Sequence, residues 1–146
     1  MVIDNSALVS AAIRSSSIPD RALRKALDQC EVCASIDTLS ELEEVLVRPK
    51  FNQYLGEDAR RKFMSLVHEN FRIFSVAPAD PGELSPSCRD PSDDKFLALA
   101  LTARAGLIVS SDDDLLALHP WRGIPIVTPA DFLTRLKSPT EAPENE

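Results

Sequence analysis

The feature that most restricts what this chain can fold into is its alternation of short apolar runs with longer stretches of helical spacing. The runs occupy residues 2–3 (VI), 32–36 (VCASI), 71–76 (FRIFSV), 107–109 (LIV) and 124–127 (IPIV). Short runs rich in valine and isoleucine read as strands, and the last two are of the fully buried, parallel type. Between them, residues 7–13, 19–29, 37–46 and 57–70 repeat apolar positions at three and four, which predicts helices. Asp90-Pro91 opens another helix, apolar nearly all round from Phe96 to Ala103 and so expected to be packed on both sides. Residues 77–89 read as a surface loop, and residues 129–136 as a last helix. Strands alternating with helices predict an α/β fold with a mostly parallel central sheet. Ligands of such sheets bind beyond the carboxyl ends of the strands.

The chain has 146 residues, 44% of them hydrophobic, enough for one domain without disulfide or metal staples. That domain is read over residues 1–137, with a proline- and acid-rich tail, 138–146, expected to be disordered. No apolar run approaches the ~20 residues of a membrane span. The opening MVIDNSAL has no basic stretch before an apolar one, so a cytoplasmic location is expected. Cys30 and Cys33 form a lone C-x-x-C with no second pair, and His68 and His119 lack ligand-like neighbours, which argues against zinc. The cysteines read as structural. A net charge of −7 argues against nucleic acid on its face. A site of several carboxylates exists to hold cations, however, and bound divalent ions reverse the local sign.

Acids cluster where the strands end. Asp4 follows the first run, Asp112 follows the fourth after two serines, and Asp37 follows the second with Glu41 four residues on. Asp94 precedes Leu97, Ala98 and Leu101 by three, four and seven, which places it on an inward helical face. A buried carboxylate is costly unless paired or metal-bound, and no lysine or arginine is placed to pair with all of these. Hard oxygen ligands at one sheet end suit Mg²⁺ or Mn²⁺. Simpler roles compete. Asp37 and Asp90 read as helix N-caps, and Asp93 as an acid answering the helix dipole. Glu43, Glu44 and Asp113 read as solvated. Asp114 either caps a short helix over residues 115–118 or is a peripheral ligand.

Taken together, these segments resemble the PIN domain, specifically the PIN-family toxin components of bacterial and archaeal toxin–antitoxin pairs. The resemblance lies in IDNS with LVSA (3–6, 8–11), LSELEEVL followed by RPKF (39–46, 48–51), and RDPSDDKFLALA (89–100). It continues through IVSSD (108–112), Leu115-Leu116 and GIPIVTP (123–129), covering nearly everything up to Leu136. It implies a three-layer α/β/α sandwich. It also implies four site acids, falling on Asp4, Glu41, Asp94 and Asp112, with Ser6 as a small polar helper and Asp93 and Asp114 as possible accessories. The serines at 110–111 stand where threonine or glycine is more usual.

The implied activity is Mg²⁺- or Mn²⁺-dependent cleavage of RNA, with Asp4, Asp94 and Asp112 as principal ligands and Glu41 binding metal or orienting water. Arg48, Lys50 and the Arg60-Arg61-Lys62 run could meet the RNA backbone, although that run also reads as a solvated helix face. A cognate antitoxin and a homodimer are expected partners. The alternatives are a non-toxin PIN nuclease in RNA processing and a non-catalytic PIN-like binding module. A haloacid-dehalogenase phosphatase would need Asp-x-Asp where Asp4-Asn5-Ser6 stands, and a receiver domain would need a lysine where Thr128-Pro129 stands.

Overall fold

The computed structural model describes residues 1–77 and 81–141. Five parallel strands form one sheet: β1 (Val2–Ile3), β2 (Cys33–Ser35), β3 (Arg72–Phe74), β4 (Ile108–Val109) and β5 (Ile126–Val127). Their order is β3-β2-β1-β4-β5, with Val2 opposite both Cys33 and Ile108, and Ile108 opposite Ile126. Apart from β1, the strands are shorter than the apolar runs that announce them.

Alternate strand residues point to opposite faces, and here each face has its own core. Ile3, Ala34, Val109 and Val127 enter a core shared with α1 (Asn5–Ile13), α2 (Ile18–Gln29), α3 (Ile36–Leu46), α4 (Glu57–Asn70) and Phe132 of α7 (Pro129–Glu141). Val2, Cys33, Ile108 and Ile126 enter the other, with α5 (Asp94–Ala103), Leu115 of α6 (Asp113–Leu116) and Trp121. The three-layer α/β/α arrangement follows from this two-sided burial. Among the described residues no helix is long and apolar enough to cross a membrane.

Several local expectations change. The N-cap of α3 is Ser35, not Asp37: Ser35 Oγ accepts from the Thr38 amide at 3.0 Å and Thr38 Oγ1 accepts from the Ser35 amide at 2.9 Å. This reciprocal box draws Ile36 out of the strand and into the first turn. Helix α5 buries Phe96, Leu97, Leu99 and Ala100 but leaves Leu101 38% exposed, so it is packed along one broad face rather than on both sides. The stretch expected as a surface loop buries Leu84 and Cys88, and Trp121 Nε1 donates to Pro86 O across it. Within it, residues 78–80 lie outside the described residues. Helix α7 runs to Glu141, past the expected domain end at 137; the rest of the expected tail, 142–146, lies outside the described residues.

Candidate active site

The chain runs β1 to β2 to β3 toward one edge of the sheet and returns to place β4 and β5 on the other side of β1. The crevice beyond the carboxyl ends of β1 and β4 is therefore the switch point of the topology. Asp4 stands there, 2% exposed. As N-cap of α1 it accepts through Oδ1 from the Ala7 amide at 3.0 Å and from Ser6 Oγ at 2.7 Å, and through Oδ2 from Ser110 Oγ. Ser110 Oγ in turn accepts from the Asp112 amide at 2.9 Å, and Ser6 Oγ from the Ser111 amide at 3.2 Å. Two hydroxyls thus tie the end of β1 to the end of β4.

Asp112 caps α6, accepting from the Asp114 amide at 3.1 Å. A 3-10 turn at Pro91–Asp93 precedes α5, with Asp90 as its N-cap, and its last residue points at Asp112. Carboxylate oxygens of Asp93, Asp112 and Asp114 lie within 4.8 Å of one another. Asp4, Ser6, Glu41, Arg48, Asp93 and Asp112 line a shared cleft of about 300 Å³. A larger cleft of about 580 Å³ lies against α5, and among the described residues its acidic lining is Glu83 alone.

The structure separates Asp93 from Asp94. Asp94 Oδ1 accepts from the Cys88 amide at 2.8 Å, and Asp94 lines a neighbouring cleft with Ser35, Asp37 and Lys95. The helix face that turns inward carries Phe96, Leu97 and Ala100, which are three, four and seven residues after Asp93. Leu101, seven after Asp94, faces solvent. The sequence led us to expect Asp94 among the acids and Asp93 in a structural role; in the structure it is Asp93 that lines the cleft with Asp4 and Asp112, while Asp94 lines the neighbouring one. Asp114 also lies in the cluster, and the cap of α6 is Asp112.

Burial and mutual repulsion raise two of these carboxyls. Burial pushes the Asp4 carboxyl above the ordinary carboxylate range, overriding the hydrogen bonds from Ser110, Ala7 and Ser6 that pull it down. Burial, a hydrogen bond to Asp112 and the charge of Asp112 push the Asp93 carboxyl up to about 8. Among the described residues, Asp4, Asp93, Asp112 and Asp114 make no ion pair. Six oxygens around Mg²⁺ at about 2.1 Å stand about 3 Å apart when adjacent and about 4 Å when opposite, so three carboxylates within 4.8 Å suit such an ion.

A family model described as a PIN domain matches residues 1–114. The chain belongs to the PIN-domain family. This PIN domain is 30% identical over 120 residues to the uncharacterized protein MJ1680 of Methanocaldococcus jannaschii, covering 82% of this chain and 74% of that one. It also matches the crystal structure of PAE2754 from Pyrobaculum aerophilum with a TM-score of 0.63, at 18% identity over 94% of this chain and 88% of that one. At that identity the likeness concerns the fold. PIN domains are in general nucleases that use divalent metal, and the acidic group of this PIN domain is of the kind that could hold one.

Sequence reasoning missed three participants. Asn5 Nδ2 donates to Glu41 Oε1 at 2.9 Å, Lys95 Nζ donates to Glu41 Oε2 at 2.8 Å, and the Cys88 thiol lies 3.9 Å from Asp93 Oδ2. Asn5 adjoins Asp4 and Lys95 adjoins the acid pair, so proximity in sequence was the available signal. Of the five proposed RNA contacts, Arg48 alone lines the cleft. Lys50 sits 5.0 Å over the Phe51 ring, and Arg61 and Lys62 are paired with Asp58 at 3.2 Å each on exposed helix, beside Arg60.

Proposed function

We propose that this PIN domain is a Mg²⁺- or Mn²⁺-dependent endoribonuclease. The observation that carries the reading is the cluster of carboxylates Asp4, Asp93, Asp112 and Asp114 at the topological switch point, none of them in an ion pair among the described residues. A divalent ion bound there would lower the pKa of a coordinated water and offset charge on the scissile phosphate. Asp93, Asp112 and Asp114 supply the converging oxygens, and Asp4 supplies a buried charge held in place by Ser6, Ser110 and the Ala7 amide. Arg48 at the rim meets the RNA backbone. Hydrolysis adds water across one P–O bond, with the proton passing to the leaving 3′-oxygen, and leaves a 5′-phosphate and a 3′-hydroxyl.

The test is incubation with RNA in Mn²⁺ and in EDTA, beside two single variants. Asp93→Asn is expected to lose activity by at least about a hundredfold, because it removes a ligand. Asp94→Asn is expected to retain most of it, since its Oδ1 can still accept from the Cys88 amide. Cleavage in EDTA, or full activity of Asp93→Asn, would sink the mechanism. We further propose that the domain is the toxin of a toxin–antitoxin pair, acting in the cytoplasm as a homodimer and neutralised by a small antitoxin over the acidic cleft. Expression should then arrest growth, and co-expression of an adjoining short reading frame should relieve the arrest. RNA cleavage without arrest would instead indicate a processing nuclease.

A further inference from the structure

The carboxylates of the cleft are of two kinds. Asp4, Asp93, Asp112 and Asp114 have no cationic partner among the described residues, whereas Glu41 has one. Lys95 Nζ lies 2.8 Å from Glu41 Oε2, and the two side chains are only 28% and 31% exposed. From the other side Asn5 Nδ2 donates to Glu41 Oε1 at 2.9 Å. Asn5 is itself 8% exposed, and its amide also donates to Thr38 O at 3.0 Å, so it is anchored to the first turn of α3. Glu41 is therefore gripped by the residue after Asp4 and by the residue two after Asp93.

We infer that Lys95 is a positioning residue, which with Asn5 holds Glu41 beside the metal ligands but out of the ligand set. The inference rests on the proposed function and assigns Glu41 a different part from the four unpaired acids. A free carboxylate next to a divalent cation is drawn onto it, because the attraction at a few ångströms in a half-buried cleft is large. A charge-assisted bond from Lys95, in a setting partly screened from water, competes with that pull. An ionised carboxylate offers about four acceptor positions, and the grip of Lys95 and Asn5 uses two. The others stay open to a water at the reacting phosphate, in a direction that the two donors fix. Lys95 also borders the adjacent cleft with Asp37 and Asp94, so its charge faces those carboxylates as well.

The test measures Mn²⁺ binding by calorimetry without RNA, then cleavage kinetics, for wild type, Lys95→Met, Lys95→Arg, Glu41→Gln and the Lys95→Met/Glu41→Gln pair. Lys95→Met is expected to release Glu41 to the ion and tighten Mn²⁺ binding about tenfold, while lowering kcat about 10- to 100-fold with KM within about twofold. Lys95→Arg should stay within about threefold of wild type in both readouts, since its charge and reach restore the grip. In the Glu41→Gln background Lys95→Met should change Mn²⁺ binding little, the signature of a coupled pair. Tightening that persists in that background would mean that removal of a positive charge is the whole effect, and would overturn the inference. So would unchanged or weaker Mn²⁺ binding in folded Lys95→Met, or a rise in KM with kcat unchanged, which would make Lys95 an RNA contact. Lys95→Gln serves the same purpose if Lys95→Met does not fold. A wild-type protein that binds no Mn²⁺ overturns the proposed function as well, whereas Mn²⁺ binding indifferent to Lys95 overturns this inference alone.

Discussion

Asp93 shows in one side chain how the acidic site conflicts with the fold. Its carboxyl is pushed up to about 8 by burial and by Asp112, against a model-peptide value of about 3.9. A raised acid favours the folded state while it is protonated. Its contribution is complete below about pH 4 and is lost as pH rises toward about 8, a direction that Asp4 shares. In EDTA the wild type should therefore melt at progressively lower temperature between pH 5 and pH 8. Asp93→Asn should flatten that fall and melt a few degrees higher at pH 8, and Mn²⁺ should restore the wild type only. A variant less stable than wild type at pH 8 in EDTA would contradict the electrostatic account. The place of Asp93 in the cleft beside Asp4 and Asp112 was within reach of the sequence. Phe96, Leu97 and Ala100 form as good an inward face for Asp93 as Leu97, Ala98 and Leu101 do for Asp94, and bulk at Phe96 favoured the first. Lys95 was harder to read, because its partner is 54 residues away and only the packed fold brings α3 against α5.

At the scale of elements, periodicity announced all five strands and the main helices, while their ends were set by side-chain capping that periodicity does not encode. Ser35 and Thr38 are 2% and 3% exposed and bond each other's amides, whereas Asp37 is exposed in the same turn. Ser35→Ala should lower stability by about 1 kcal/mol and Asp37→Ala by less, as urea denaturation would report. Equal losses would show that the acid caps the helix after all. The same mechanism displaced α5. The 3-10 turn at Pro91–Asp93, capped by Asp90, delays the helix until Asp94 and turns Asp93 rather than its neighbour toward β4. Proline and aspartate at positions 90–91 signalled a helix start, but not that a tighter turn would come first.

Across the whole molecule, the order β3-β2-β1-β4-β5 brings together acids from positions 4 and 112, a pairing that no local pattern in the chain contains. The net charge of −7 is also distributed to some purpose. Arg61 and Lys62 are answered by Asp58, but Arg48 stands at the mouth of the acidic cleft without an ion pair among the described residues. Arg48→Ala should raise KM for RNA several-fold and reduce its salt dependence by about one counterion, while Arg61→Ala should leave both near wild type. Kinetics at two salt concentrations decide this. The hydrogen bond from the Asp4 amide to Val109 O joins the central strands β1 and β4, that from the Ser110 amide to Val127 O joins β4 to the edge strand β5, both are 2.9 Å, and both start on residues of the site. Such amides exchange with solvent only when the middle of the sheet comes apart, an event close to global unfolding. A catalytic centre sewn into the last part of the protein to open has little room to be loosened in the folded state. The antitoxin proposed above would then act by filling the cleft, not by loosening the sheet around it.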